Sequence, residues 1–217
     1  MIKVLLVDDH ELVRTGLARM LADVANIEVV GEAENGEDAV KMVRHLEPDV
    51  VLMDVIMPGI GGLEATRRIC HSNLNVNVVV VTSVEDDLYP ARLLQAGAAG
   101  YVTKGADLDE MVKAIQHVYR GQRYISPEIA QKLALRSFSA ETERSPFDEL
   151  SERELQITMM VVNCQRVNEI AESLHLSPKT VNTYRYRLFT KLGINSDVEL
   201  TLMAVRHGLI DQAVISG

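Results

Sequence analysis

Short apolar segments alternate with amphipathic segments over roughly the first 120 residues, and this alternation constrains the fold more than any other feature. Each apolar run has the length of a strand, and the segment after it carries apolar residues at helical spacing. The runs are Val4–Val7, Glu28–Gly31, Val50–Met53, Val78–Val81 and Gly100–Val102. Five strands that each lead into a helix predict an α/β domain with a doubly wound, five-stranded parallel sheet.

Polar residues follow four of these runs at the point where the predicted strands end. They are Asp8 with Asp9, Asp54, Thr82 and Lys104. The carboxyl ends of parallel strands meet at one edge of the sheet, where ligands bind, so we expect these side chains to converge. Crowded carboxylates repel one another unless a cation lies between them, and oxygen ligands suit Mg²⁺. The sequence therefore predicts a magnesium site beside a hydroxyl and an ammonium that could hold an anion.

The hydroxyl could come from either of two neighbouring residues, Thr82 and Ser83. Successive strand residues point to opposite faces, so only one of the two is expected to face the site.

The second part of the chain is predicted to be helical. We expect a first domain over 1–122, a linker over 123–147 with a helix near 127–135, and a small all-α domain over 148–217. The segment 136–146 has little periodicity and is rich in Ser, Glu and Arg, which favours a mobile linker. Ser151 with Glu154 has the spacing of a capping box, and Ser177-Pro178 is typical of a helix start. A tight connection between two short helices, as at 174–177, predicts a helix-turn-helix.

Charge is distributed in a way that permits nucleic-acid binding despite a net charge of −9. Residues 1–122 hold 11 basic and 19 acidic side chains, and residues 123–217 hold 11 and 12. An acidic chain is a poor candidate for nucleic acid, but the segment 176–191 contains no acid. Its four basic residues are Lys179, Arg185, Arg187 and Lys191. A local basic face is the feature that nucleic acid detects.

The helix predicted over Pro178–Leu192 has an apolar back and a polar front. Val181, Tyr184, Leu188 and Leu192 form one apolar stripe. The polar and basic candidates for DNA contact are Lys179, Thr180, Asn182, Thr183, Arg185, Tyr186, Arg187 and Lys191. Amide, hydroxyl and phenol groups suit base edges in the major groove, and basic flanks suit phosphates. A solvated surface helix is the alternative interpretation, and the helix alone does not decide between them.

The first domain resembles the receiver domain of bacterial two-component response regulators, a flavodoxin/CheY-like fold. The resemblance rests on four motifs in order: Val7-Asp8-Asp9-His10, Leu52–Gly59 with Gly62, Val81-Thr82 and Gly100–Lys104. It implies that Asp54 accepts a phosphoryl group, with Mg²⁺ bound by Asp9, Asp54 and the Ile56 carbonyl and, through water, by Asp8. It further implies that Thr82 and Lys104 bind the phosphoryl oxygens. Tyr101 would be a switch aromatic that turns inward when Thr82 moves, although a half-buried strand aromatic is the plainer alternative.

The second domain is similar to the helix-turn-helix of the NarL/LuxR (FixJ) family. The motifs are Leu150–Leu155, Asn168–Leu174, Leu176–Asn182 and Lys191–Ile194. The stretch Thr180–Arg187 looks closest to the GacA/UvrY/SirA/VarA branch. By family position Asn182, Thr183 and Tyr186 would face bases. Asn163-Cys164 departs from the glycine that usually ends the first helix there, and because Asn tolerates the left-handed conformation we expect a shifted helix end.

Taken with the motifs, the resemblance implies a phosphorylation-activated transcriptional regulator rather than a turnover enzyme. Phosphatases that use a strand-end Asp place a second acid two residues later, and Ile56 stands at that position. The implied partners are promoter DNA, a hybrid sensor histidine kinase or phosphotransfer protein, and a second copy when phosphorylated or on DNA. The implied targets are small regulatory RNA genes of a Csr/Rsm-type system. A phosphorylation-dependent protein-interaction module without DNA binding is the alternative.

Location is also expected from the sequence. The chain start lacks the zones of a signal peptide, and no apolar stretch approaches the roughly 18 residues of a membrane helix. Two distant cysteines, Cys70 and Cys164, fit a reducing compartment. We therefore expect a cytoplasmic protein without membrane contact.

Overall fold

The computed structural model describes residues 1–57, 59–72, 75–82, 88–139 and 145–207 of the chain. The chain divides into two compact units, with the boundary between Leu133 and Ala134. The first unit is an α/β domain and the second is helical. Within these described ranges, no helix combines the length and the apolar character that crossing a membrane requires.

A parallel sheet of six strands forms the centre of the first unit, in the order β2-β1-β3-β4-β5-β6. The strands are β1 (Ile2–Val7), β2 (Ile27–Ala33), β3 (Val50–Met53), β4 (Asn77–Thr82), β5 (Gly100–Thr103) and β6 (Tyr124–Ile125). The first five coincide with the predicted runs, so the doubly wound parallel sheet is confirmed. The sheet carries one strand more than predicted, because β6 has only two residues and no pattern of its own. It forms by parallel pairing of Tyr124 and Ile125 with β5.

Helices connect the strands and cover both faces of the sheet. They are α1 (Glu11–Ala22), α2 (Gly36–Leu46), α3 (Gly61–Cys70), α4 (Leu88–Gln95) and α5 (Leu108–Tyr119). Two begin at side-chain caps: Asn35 accepts from the Asp38 amide, and Asp107 accepts from the Glu110 amide. A sixth helix, α6 (Pro127–Ser139), covers the segment where the sequence predicts a helix near 127–135. Residues 140–144 of the predicted linker lie outside the described residues.

Alternate strand residues supply the cores on the two faces of the sheet. Val4 and Leu6 pack with Ile115 of α5 on one face, whereas Leu5 and Val7 pack with α2 and α3 on the other. The period of two along β1 explains this division, since successive side chains point to opposite faces. Burial on both faces also explains why the central strands are continuous apolar runs.

Within the described range 145–207, the second unit consists of a 3₁₀ turn at Pro146–Glu149 followed by four helices. The helices are α7 (Glu152–Val162), α8 (Val167–Ser173), α9 (Pro178–Leu192) and α10 (Asp197–Arg206). The capping box of Ser151 with Glu154 is present, and Ser177 caps α9 with Pro178 at its first position. Both helix-start predictions are therefore confirmed. Residues 208–217 lie outside the described residues.

The end of α7 differs from the expectation. Asn163 keeps a right-handed φ of −83°, and the left-handed residue is Cys164, with a φ of 61°. The Cys164 amide donates to the Val161 carbonyl and the Gln165 amide to the Met160 carbonyl, the pattern of a Schellman motif. The position that favours glycine is thus one residue later than Asn163, and a cysteine fills it.

Candidate functional site

The carboxyl ends of β1 and β3 bring the predicted acidic residues together. Asp54 is fixed beside β1 because its amide donates to the Val7 carbonyl at 2.8 Å. Ligand atoms of Asp8, Asp9, His10 and Asp54 lie within 4.8 Å of one another. Asp8 and Asp54 are each 4% exposed. Two buried carboxylates this close require a compensating positive charge.

Lys104, one residue beyond β5, supplies positive charge inside this cluster. Its Nζ lies 2.6 Å from Oδ2 of Asp8 and 2.9 Å from Oδ2 of Asp54. The other oxygen of Asp54, Oδ1, accepts from the Val55 amide at 2.7 Å. The Asp54 carboxylate is therefore held at both oxygens.

Burial changes the acidity of both charged partners. It raises the pKa of Asp54 from 3.8 to about 6, with a further rise from the charge of Asp8 and an opposing effect of Lys104. Burial also disfavours the ammonium of Lys104, but the carboxylates of Asp54 and Asp8 outweigh it and raise the pKa of Lys104 above its usual 10.5. The site thus holds more negative charge than Lys104 offsets.

The donor set fits Mg²⁺. Asp8, Asp9 and Asp54 provide carboxylate oxygens, the ligands that this ion prefers. A divalent cation would offset the negative charge that Lys104 leaves uncompensated. The Ile56 carbonyl, also expected as a ligand, belongs to the described loop directly after Asp54.

His10 joins the cluster, although the sequence analysis assigned it no role. Its amide donates to Oδ1 of Asp8 at 2.9 Å, and its Nδ1 lies 2.9 Å from Oδ1 of Asp9. The signal in the sequence was its position directly after the two aspartates. His10, the residue directly before α1, therefore fixes the orientation of the Asp8 and Asp9 carboxylates.

The loop after Asp54 is closed by two features that require particular residues. A Cβ on Gly62 would lie 1.8 Å from the Asp54 carbonyl oxygen, so only glycine fits. The Gly62 amide donates to the Val55 carbonyl at 2.9 Å. On the far side of the loop, Oε1 of Glu37 accepts from the Ile60 amide at 3.1 Å. Glu37 was not predicted, because its contact lies 23 residues away in the chain.

Arg14 is a second residue that the sequence analysis missed. It is 5% exposed and donates from Nη1 to the Asp8 carbonyl at 2.6 Å. Its Nη2 lies 2.9 Å from Oε1 of Glu34, and its Nε 3.4 Å from Oε2 of Glu32. Its burial could have been predicted from the sequence, because Arg14 lies on the same face of α1 as Leu17 and Leu21, one turn before Leu17. The buried guanidinium holds the backbone of the residue that begins the acidic cluster.

The remaining receiver candidates lie at the same edge or beside it. Thr82 is the last residue of β4, where it pairs with Thr103, and its side chain is outside the described part. The competing residue, Ser83, also lies outside the described residues. Tyr101 in β5 is fully buried rather than half-buried. It therefore has the inward position that a switch aromatic would adopt.

In the second unit, α9 presents a polar face away from its packed side. Val181, Leu188 and Leu192 are buried, and Tyr184 is half-buried, as the predicted stripe requires. Tyr186 is 72% exposed. The other exposed candidates are Lys179, Thr183, Arg187 and Lys191, and the half-buried ones are Thr180, Asn182 and Arg185.

Two of the predicted basic contacts are instead engaged within the second unit. Nζ of Lys191 lies 2.6 Å from Oε2 of Glu154, a carboxylate that is almost fully buried. Arg185 forms an ion pair with Asp197 at the start of α10 and donates to Asn182. Arg187 contacts only an aromatic ring among the contacts described for it, with its guanidinium carbon 6.0 Å from the Tyr184 centroid. The sequence alone could not show which of these three basic residues pair with acidic groups of their own domain.

Comparison with known proteins gives matches to both units. Residues 4–116 match the family described as response regulator receiver domain, and residues 148–204 match the family described as bacterial regulatory proteins, luxR family. The chain is 65% identical over 213 residues to the response regulator GacA of Pseudomonas aeruginosa, which covers 98% of this chain and 100% of that protein. It is 58% identical over 216 residues to the response regulator UvrY of Escherichia coli K12, covering 100% and 99% of the two chains.

A solved structure is also similar. The crystal structure of a LuxR-family two-component response regulator from Aurantimonas sp. SI85-9A1 matches with a TM-score of 0.60 and 38% identity, over 63% of this chain and 97% of that one.

Proposed function

Because the chain belongs to the NarL/LuxR family of two-component response regulators, in the GacA/UvrY branch, we propose that Asp54 is its phosphoacceptor. The observation that carries this proposal is the buried Asp54 carboxylate, held between the Lys104 ammonium and the Val55 amide. Phosphorylation would activate DNA binding by the helix-turn-helix domain. The protein is a regulator, and the phosphoryl chemistry of Asp54 serves as its switch.

The acidic cluster would hold Mg²⁺ through Asp8, Asp9, Asp54 and the Ile56 carbonyl. When bound, the ion supplies positive charge that offsets the charge of the moving phosphoryl group. Arg14 and His10 keep the Asp8 backbone and the two carboxylates in place for this ligation.

Transfer forms a bond between an Asp54 carboxylate oxygen and phosphorus as the bond to the donor breaks. The donor would be a hybrid sensor histidine kinase or its phosphotransfer protein. Lys104 already lies at Asp54 and can follow the charge from the carboxylate to a phosphoryl oxygen. Thr82 would donate its hydroxyl to another oxygen, and Tyr101 would respond as the switch residue.

DNA would be bound by the polar face of α9. Asn182, Thr183 and Tyr186 are the base-reading candidates, and Lys179, Thr180 and Arg187 the phosphate contacts. We assign Lys191 to the structure of the domain, because the buried Glu154 carboxylate holds its ammonium. The family supports a homodimer on DNA or after phosphorylation, promoters of small regulatory RNA genes of a Csr/Rsm-type system, and a cytoplasmic location.

The test combines labelling with DNA binding. Acetyl phosphate with Mg²⁺ should phosphorylate the wild-type chain and not Asp54→Asn, and only the phosphorylated chain should shift selected genomic fragments strongly in a gel. Persistent labelling of Asp54→Asn would reassign the acceptor. Labelling without any DNA shift would favour the phosphorylation-dependent protein-interaction module.

A further inference from the structure

Arg185 is held on three sides inside the second unit. Its Nη1 donates to Oδ1 of Asn182 at 3.0 Å, and its Nη2 pairs with Oδ2 of Asp197. Its guanidinium carbon also lies 5.8 Å from the centroid of the Phe189 ring. The Arg185 side chain is 19% exposed. This cation therefore faces the interior of its own domain.

The contact with Asn182 has a consequence for the amide of that residue. A guanidinium group has only donors, so it can contact an amide only through the carbonyl oxygen. Arg185 therefore determines which way the Asn182 amide is turned: the oxygen towards Arg185 and the NH₂ group away from it. An asparagine without such a partner can rotate its amide by 180° and offers either atom to a base edge. Base edges differ in their pattern of donors and acceptors, so the orientation of an amide decides what it can read.

Asp197 keeps Arg185 in this position. It lies in the first turn of α10, after the Ser196 cap, and its Oδ1 is buried with no hydrogen-bond partner among the described residues. If Arg185 swung out to a phosphate, Asp197 would lose its ion pair and keep its charge in a half-buried position. Because the Asp197 side chain is 45% exposed, this restraint is modest, and the contacts of Arg185 with Asn182 and Phe189 add to it. Arg187, two residues along the same helix, has no ion pair with any described residue and contacts only the Tyr184 ring among them.

We propose that Arg185 is a positioning residue for sequence reading: held by Asp197, it orients the Asn182 amide towards the base edge and does not itself contact DNA phosphate. The inference rests on the proposed function, in which α9 reads DNA. The charge of Arg185 alone would instead suggest that this residue binds a DNA phosphate.

The test is a selection of binding sites from a random duplex library by the full-length chain, phosphorylated with acetyl phosphate and Mg²⁺. Wild type, Arg185→Met, Arg187→Met and Asp197→Asn are compared. Arg185→Met should relax the preference at one base pair of each half-site by about fivefold or more, with the salt dependence of binding unchanged. Arg187→Met should retain every base preference and reduce the slope of log K against log salt by about 1.

The paired variant Arg185→Gln/Asp197→Asn keeps the net charge and guards against a general charge effect. It should relax the same base preference as Arg185→Met. In an Asn182→Ala background, Arg185→Met should produce no additional loss of preference, because the residue through which it acts is gone. A merely structural role would not be confined to one base pair, and thermal melting of each variant checks that the domain is folded. Asp197→Asn provides a milder variant if Arg185→Met does not fold.

The outcomes distinguish the inference from the proposed function. If Arg185→Met reduces the salt slope as Arg187→Met does and keeps all base preferences, Arg185 is a phosphate contact and the inference is overturned. Unchanged preference and unchanged slope would overturn it as well. A wild-type chain that enriches no sequence would overturn the proposed function itself, and the inference with it.

Discussion

Nζ of Lys104 lies 2.9 Å from Oδ2 of Asp54, so the lysine contacts the proposed acceptor carboxylate directly. The same ammonium lies 2.6 Å from Oδ2 of Asp8. One cation thus serves two buried carboxylates, which leaves an excess of negative charge at the edge of the sheet. Burial of Asp54, together with this excess charge, makes the stability of the first domain depend on pH.

Asp54→Asn should stabilise the metal-free domain at neutral pH. Burial raises the pKa of Asp54 to about 6, so between about pH 4 and pH 6 the folded state holds a proton that the unfolded state has lost. Wild-type stability therefore falls as the pH rises through this window. The variant lacks this loss and should be about 1–3 kcal/mol more stable at pH 7, with no difference below about pH 4. Urea unfolding in EDTA measures this, and equal stability at every pH would contradict the raised pKa.

Gly62→Ala should damage the loop after Asp54. The added Cβ would lie 1.8 Å from the Asp54 carbonyl oxygen, a backbone atom that cannot yield without moving the loop. We expect a loss of at least about 2 kcal/mol of unfolding free energy and little phosphorylation by acetyl phosphate. Gly16→Ala in α1 is the matched control, because beyond its own helix no atom of the described residues lies within 4 Å of the added Cβ. It should gain up to about 1 kcal/mol and be phosphorylated normally. Equal changes in stability and phosphorylation for the two variants would show that the close approach of Gly62 to the Asp54 carbonyl is not important.

Part of this site follows from sequence and part does not. The strand-end positions of Asp54 and Lys104 are predictable, because parallel strands bring their carboxyl ends together whatever the loops do. The contacts of Glu37 and Arg14 are not predictable in the same way, since the folded chain brings the Ile60 amide to Glu37, and the Asp8 carbonyl with Glu34 and Glu32 to Arg14. The spacing of apolar residues in α9 predicts that Lys191 is exposed. It cannot predict the ion pair with the buried Glu154, which lies 37 residues earlier in the chain.

Cys164→Gly should stabilise the second domain. Cys164 has a φ of 61°, a conformation that costs an ordinary residue about 1–2 kcal/mol and glycine almost nothing. We expect a gain of about 1 kcal/mol in unfolding free energy, measured by circular dichroism in urea. Asn163→Gly is the control: its φ of −83° is right-handed, so added flexibility should cost about 0.5–1 kcal/mol. We therefore expect the unfolding free energy to rise for Cys164→Gly and to fall for Asn163→Gly. A fall for both variants would mean that the left-handed conformation of Cys164 carries no strain.

Lys191→Met should destabilise the second domain without the loss of phosphate contact that we expect of Arg187→Met. The change leaves the buried carboxylate of Glu154 without the ammonium 2.6 Å away, at a cost of about 1–3 kcal/mol. Although burial opposes it, hydrogen bonds from Lys191 and Ser151 hold the pKa of Glu154 below its usual 4.5. The stabilisation is therefore present at neutral pH and is lost as the pH falls through that lowered value. Urea unfolding at pH 7 and below pH 4 should show the difference shrinking, whereas a difference independent of pH would exclude the ion pair as its cause.

The two-residue strand β6 has a consequence for dissecting the protein into fragments. Tyr124 and Ile125 pair with β5, and the Ser126 amide donates to the Tyr101 carbonyl at 3.0 Å. A fragment that ends at residue 122, where the strand–helix alternation stops, would leave the peptide groups of β5 uncovered along its outer side. Such an open edge pairs readily with other chains. We therefore expect a receiver fragment to stay monomeric when it includes residues up to at least Ser126. Aggregation of a shorter fragment would reflect the exposed edge of β5 and would not argue against the proposed phosphorylation site.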